Sequence, residues 1–177
     1  MDKPCHLAAY CAIRRLTGSD GLALYPKRRG ELAELIFVLK AATMGLAVSK
    51  PFGDSFPYDV VIESNHRMLR VQVKSSFSSH RAGYCINLGA RGEAGGHRLY
   101  TPEEIDFVAA YVVCHDAWYI IPATALGTAK SVRLYPAGSR KKGTGHFEGY
   151  REAWDLITGI GRPPPRLPSP QLLASSY

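Results

Sequence analysis

Three side chains able to do chemistry together stand in YDVVIESNHRMLRVQVKSS, Tyr58 to Ser76: Asp59, Gln72 and Lys74. The stretch reads as two strands joined by a hairpin turn at Ser64–Arg67. Side chains alternate along a strand, so Gln72 and Lys74 share a face with Arg70, and Leu69, Val71 and Val73 turn to the core. Antiparallel pairing lays Asp59, near the start of one strand, beside Gln72 and Lys74, near the end of the other. An acid, an amide and an ammonium then converge at one end of a sheet. That trio suits magnesium-dependent hydrolysis of a phosphodiester. Mg²⁺ takes hard oxygen ligands: a carboxylate oxygen from Asp59, an amide oxygen from Gln72, and the carbonyl of Val73 between Gln72 and Lys74. Lys74 can hold the attacking water or offset charge developing on the phosphate. On spacing alone, the pattern fits as well a strand whose outer face is merely polar.

The element upstream adds to the trio. KRRGELAELIFVLKAATMG predicts a helix of about four turns, with Leu32, Leu35, Ile36 and Leu39 as one apolar stripe and Phe37, Val38 and Ala41 continuing it. Gly45 is its natural stop. Glu34 lies on this helix in apolar company, where a carboxylate is costly to bury without a partner; a metal-bound water would be one. Gly30, one turn earlier, would let a phosphate or a backbone come close. Lys27, Arg28 and Arg29 precede it, placed to grip DNA backbone.

Taken together, KRRGELAE, PFGDSFPYDVVIE and LRVQVKSS resemble the PD-(D/E)XK nuclease superfamily, closest to its group I intron homing endonuclease branch, which is also similar to archaeal Holliday-junction resolvases. The likeness runs from about Lys27 to Trp154 and takes in LYTPEEIDFVAAYVV and WYIIPA. It implies an α/β, restriction-endonuclease-like core of αβββαβ type, a mixed β-sheet flanked by helices, that cleaves DNA with Mg²⁺, Mn²⁺ being a possible substitute. Carried over, Glu34 orders a metal water, Asp59 binds the metal, Gln72 stands at the variable D/E position and Lys74 is the catalytic lysine. Two positions depart from the pattern. The proline is Pro57, separated from Asp59 by Tyr58, and the last carboxylate is Gln72. The second departure keeps a non-catalytic DNA-binding protein open as an alternative, beside a junction resolvase.

Around these motifs the chain reads as one nuclease-like domain over 27–160. A 1–26 extension precedes it and a Pro/Ser-rich, disordered tail over 161–177 follows. After the hairpin come a strand at about Tyr84–Leu88, a Gly-rich loop, a TPEEID turn in which Asp106 caps or pairs locally, the strands FVAAYVVC and AWYIIPA, an edge strand SVRLYP and an amphipathic helix HFEGYREAWDLITG. The order predicts an α/β sandwich on a mixed sheet. Arg140, Lys141 and Lys142 form a basic loop suited to phosphates, and Ser75 can touch one. Asp54 is either a further ligand or plain turn chemistry. Lys and Arg number 22 against 15 Asp and Glu, a net charge of +7 that fits a polyanion partner. No run is long and apolar enough for a bilayer and no CxxC pair occurs, so a cytoplasmic, zinc-free protein is expected, with Cys85 and Cys114 as small core residues. Cutting both strands of DNA would suit a homodimer or homotetramer.

Overall fold

The computed structural model describes residues 26–53, 55–79, 83–91, 97–138 and 145–159. Residues 1–25 of the N-terminal extension, Asp54, the Arg140–Lys142 loop and the C-terminal tail lie outside the described residues.

Helix α1 spans Pro26–Thr43. Proline suits a first helical position, where its missing N–H is no loss. Past the end of the helix, Gly45 takes φ +77°, and the amides of Gly45 and Leu46 bond back to Ala42 and Ala41. Three strands follow: β1 (Ala47–Ser49), β2 (Val60–Ser64) and β3 (Arg67–Ser76). They form an antiparallel meander, and Asn65 and His66, both at positive φ, turn the β2–β3 hairpin where the sequence predicted. Then come β4 (Tyr84–Asn87), β5 (Gly89–Arg91), β6 (His97–Leu99), β7 (Phe107–Val112), β8 (Ala117–Pro122) and β9 (Ser131–Leu134). The main sheet runs β1-β2-β3-β7-β8; β3 pairs β7 in parallel and β7 pairs β8 antiparallel. The chain crosses from β3 to β7 through β4–β6 and the TPEEID turn. β4 leaves the main sheet to pair with β9, and β5 pairs with β6. Among the described residues, no helix is long and apolar enough to cross a membrane.

Both faces of the main sheet are covered. On one side Ala33, Phe37 and Ala41 of α1 pack on Val60, Ile62, Leu69, Val71 and Val73. Phe37 is fully enclosed, with ring centroids 5.4 Å from Trp118 and 5.6 Å from Trp154. On the other side Tyr84, Ile86, Val108, Tyr119, Ile121 and Leu134 make a second cluster. This changes the predicted helix face. The buried stripe is Ala33–Phe37–Ala41, while Leu35 and Leu39 are 58% and 63% exposed. Two alanines let the helix approach the sheet closely and Phe37 fills the gap between the tryptophans, so the leucines are left outward.

Three further expectations change. The closing segment is a 3-10 turn, Glu148–Tyr150, and a one-turn helix α2, Asp155–Thr158, in place of a long amphipathic helix. Its backbone is spent on β8: Glu152 bonds Trp118 O through its amide (2.7 Å) and accepts the Trp118 amide with its carboxylate (2.7 Å), while Arg151 makes a bridge to Tyr119. Cys85 and Cys114 are exposed, because Cys85 falls on the outward side of β4 and Cys114 in the turn after β7. Asp106 pairs across the sheet, its Oδ2 taking the Arg70 amide (2.8 Å) and side-chain Nε (3.1 Å). That tie draws Arg70 toward Asp106, although Arg70 shares its strand side with Gln72 and Lys74.

Candidate active site

The β2 ladder ends at Val60, and Asp59 is the residue that continues it by one bond, its amide donating to Val71 O at 3.0 Å. Its carboxylate then reaches forward along β3. Oδ2 accepts the Val73 amide at 2.8 Å and the Gln72 side-chain Nε2. Gln72 is buried, and its Nε2 also donates to Val73 O at 3.2 Å. The hairpin register thus brings Asp59 to Gln72 as the strand alternation predicted.

The orientation of Gln72 differs from the expectation. Its amide nitrogen, not its oxygen, faces Asp59. A carboxylate and a carbonyl close together attract a positive group, and the NH₂ is the nearest donor. The terminal amide torsion is soft, and a half-turn would present an oxygen beside the other two. Carboxylate, carbonyl and amide are the hard oxygen donors Mg²⁺ takes, so this residue set fits the metal implied by the motif. Among the described residues, no three His, Cys, Asp or Glu side chains cluster as a metal site; the carboxylates available here are Asp59 and Glu34.

Glu34 stands on α1 one turn before Phe37, whose burial between the tryptophans fixes the rotation of the helix. It lines the same cleft, about 440 Å³ in volume, as Arg29, Gly30, Asp59, Gln72 and Lys74, and the walls include Val73 and Ser75. Gly30 opens into free space: a Cβ built there meets no atom within 4 Å. Arg29 lies over the Phe77 ring at 5.3 Å, and Lys27 and Arg28 are exposed at the helix start. Lys74 places its ammonium 5.4 Å from the centre of the Tyr100 ring.

One cation in this set was not singled out by the motif pattern. Lys50, at the end of β1, donates from Nζ to Glu34 Oε2 at 2.7 Å. It stands 16 residues from its partner in sequence, and only the pairing of β1 with β2 beside α1 brings it there. The sequence signal was a lysine directly before the PFGD loop, which has no meaning until the sheet order is known.

The electrostatics centre on Asp59. Burial pushes its carboxyl from the ordinary 3.8 up to about 6. The Val73 amide opposes that rise, the Glu34 charge adds to it, and Lys74 and Lys50 oppose it. The site therefore holds an acid that ionises at the cost of desolvation and gains from any cation brought beside it.

The model of the PD-(D/E)XK endonuclease family matches residues 24–157. The chain belongs to this family. Among solved structures it is similar to a bacterial homing endonuclease, I-Ssp6803I, with a TM-score of 0.69 and 29% identity, covering 77% of this chain and 95% of that one. A second likeness, to MepB, has a TM-score of 0.42 and 13% identity over 68% of this chain and 87% of that one. No curated protein matches the sequence.

Proposed function

We propose that this chain is a divalent-metal-dependent endonuclease that hydrolyses phosphodiester bonds in DNA. The observation that carries the reading is the convergence of two carboxylates, Glu34 and Asp59, the Gln72 amide and the Lys74 ammonium on one cleft of a PD-(D/E)XK chain. Asp59, the Val73 carbonyl and Gln72 would hold Mg²⁺, or Mn²⁺ in its stead. A bound Mg²⁺ would supply Lewis acidity toward the phosphate and a more acidic water. Asp59 gives up its proton above about pH 6 and keeps a negative charge at the cleft. Glu34 accepts a hydrogen bond from water and orients it. Lys74 donates to a phosphate oxygen or to the attacking water, offsetting charge as the P–O bond breaks. Arg29 and Ser75 in the cleft wall, with Lys27, Arg28 and the loop residues Arg140, Lys141 and Lys142, bind flanking phosphates. Paired cuts in both strands would be made by a homodimer or homotetramer.

The test is cleavage of linear and branched DNA in Mg²⁺ and in EDTA. Cleavage of linear duplex only in Mg²⁺ is the expected result, and cleavage confined to branched DNA would make the chain a junction resolvase. A second reading is a DNA-binding protein without catalysis. It is favoured by one feature, the Gln72 amide that already satisfies Asp59 without an ion. Salt-sensitive DNA binding with no cleavage in any divalent metal would establish it.

A further inference from the structure

We propose that Phe52, at the tip of the β1–β2 loop, stacks on a DNA base beside the phosphodiester that the cleft cleaves. The proposal rests on the endonuclease reading above and adds to it a contact with the bases.

Phe52 is 99% exposed, the most exposed large apolar side chain among the described residues. It adds nothing to the core, whereas burying such a ring contributes roughly 1.5–3 kcal/mol. A lone exposed apolar residue is ordinary, but this one has company and a fixed address. Phe56, on the same loop, is 51% exposed, with its ring 5.5 Å from that of Tyr58. Both ends of the loop are tied to the cleft. Lys50 holds Glu34 at one end, and Asp59 bonds Val71 O and the Val73 amide at the other. Two residues of chain span at most roughly 7 Å, so the Phe52 backbone stays within that distance of Lys50. Pro51 fixes its own φ, and Gly53 takes φ +85°, a turn that other residues rarely make. The tip is therefore aimed by its backbone.

The chemistry around the tip selects the partner. Lys50 is next but one in sequence, Arg29 lines the cleft from α1, and the chain carries +7 overall. An apolar ring in basic surroundings matches a nucleic acid, whose phosphates meet the cations and whose bases present flat faces to the ring. Stacking of this kind tolerates any base, because each has a π-face.

Two variants test it. Phe52→Ala should leave the melting temperature and the oligomeric mass unchanged, since the side chain touches little of the protein. Its affinity for a linear plasmid fragment, measured in EDTA, should fall about 5- to 150-fold, the range for removing one base–aromatic stack. Phe52→Trp adds an exposed indole, while Trp118 and Trp154 are both buried. Its emission should be quenched when the same fragment saturates the protein. Parental affinity in the alanine variant overturns the proposal, as does unmoved emission at saturation. A change of oligomeric mass in the alanine variant also overturns it, because the ring would then cover a second copy of the chain. Cleavage by the parent in Mg²⁺ is scored separately. A parent that never cleaves removes the endonuclease reading, whereas a parent that cleaves beside an unaffected alanine variant removes only this proposal.

Discussion

Asp59→Asn should make the metal-free protein more stable at neutral pH while removing its capacity to cleave. Asparagine keeps the shape of the side chain and an oxygen that can accept the Val73 amide and the Gln72 NH₂, the two donors now on Oδ2. It removes the charge that burial disfavours. The folded carboxyl titrates at about 6 against an ordinary 3.8. At about 1.36 kcal/mol per pH unit, that difference corresponds to roughly 3 kcal/mol as a ceiling. The sign follows from proton counting. Between about pH 4 and pH 6 the folded state binds more protons at this site than the unfolded state, so stability falls as pH rises through that window. Above pH 6 the full penalty is present, and below pH 4 it is absent. Urea unfolding in EDTA from pH 3.5 to pH 8 is the assay. At pH 7.5 the variant should exceed the parent by up to about 3 kcal/mol, or up to about 6–12 °C in melting temperature for a chain of this size. The gap should close toward pH 4. A variant less stable than the parent at pH 7.5 would refute the reasoning, as would a gap constant across the range; Asp59 would then be a structural acceptor for Val73 and not a charge held at a cost.

Gly30→Ala should raise helix stability by about 0.5–1 kcal/mol, as glycine-to-alanine changes inside helices do, because its new methyl meets no protein atom; if DNA backbone passes over this point, DNA affinity falls while melting temperature rises, and a rise in both would show that the DNA runs elsewhere. Gln72→Leu should lower Mn²⁺ affinity by calorimetry and lower cleavage, since it keeps the bulk without the oxygen, whereas Gln72→Glu should tighten metal binding in the free protein; a leucine variant that binds metal like its parent would remove Gln72 from the site. Lys50→Ala should cost the fold under about 1 kcal/mol, being a half-exposed ion pair, yet tighten Mg²⁺ binding to DNA-free protein because Glu34 loses its resident cation; weaker metal binding would mean that Lys50 holds Glu34 in place.

The hairpin was legible because period-two alternation and a short turn leave little choice of register. Asp59, Gln72 and Lys74 could be set side by side from the strand faces alone. The helix existed in the sequence, but its inner face did not: four leucine and isoleucine positions outweigh Ala33 and Ala41 in any count of hydrophobicity, and only the tryptophan pair waiting for Phe37 decides the rotation. Lys50 was illegible for the same kind of reason, since its partner lies on another element and their meeting depends on the sheet order. The closing segment had helical spacing, yet Glu152 at φ +48° gave up helix bonds for bonds to Trp118. Local pattern reads local structure, and these three outcomes were set by partners distant in sequence.

The central claim is that Lys74 and a divalent ion act on a phosphodiester within the Asp59 cleft. Its most direct test is supercoiled plasmid incubated with the parent and with Lys74→Ala, each in Mg²⁺, Mn²⁺ and EDTA. The parent should give nicked or linear product in Mg²⁺ or Mn²⁺ and none in EDTA. The variant should give none in any condition, while its melting temperature and DNA affinity stay close to the parent's. Cleavage by Lys74→Ala at the parent's rate, or by the parent in EDTA, would contradict it.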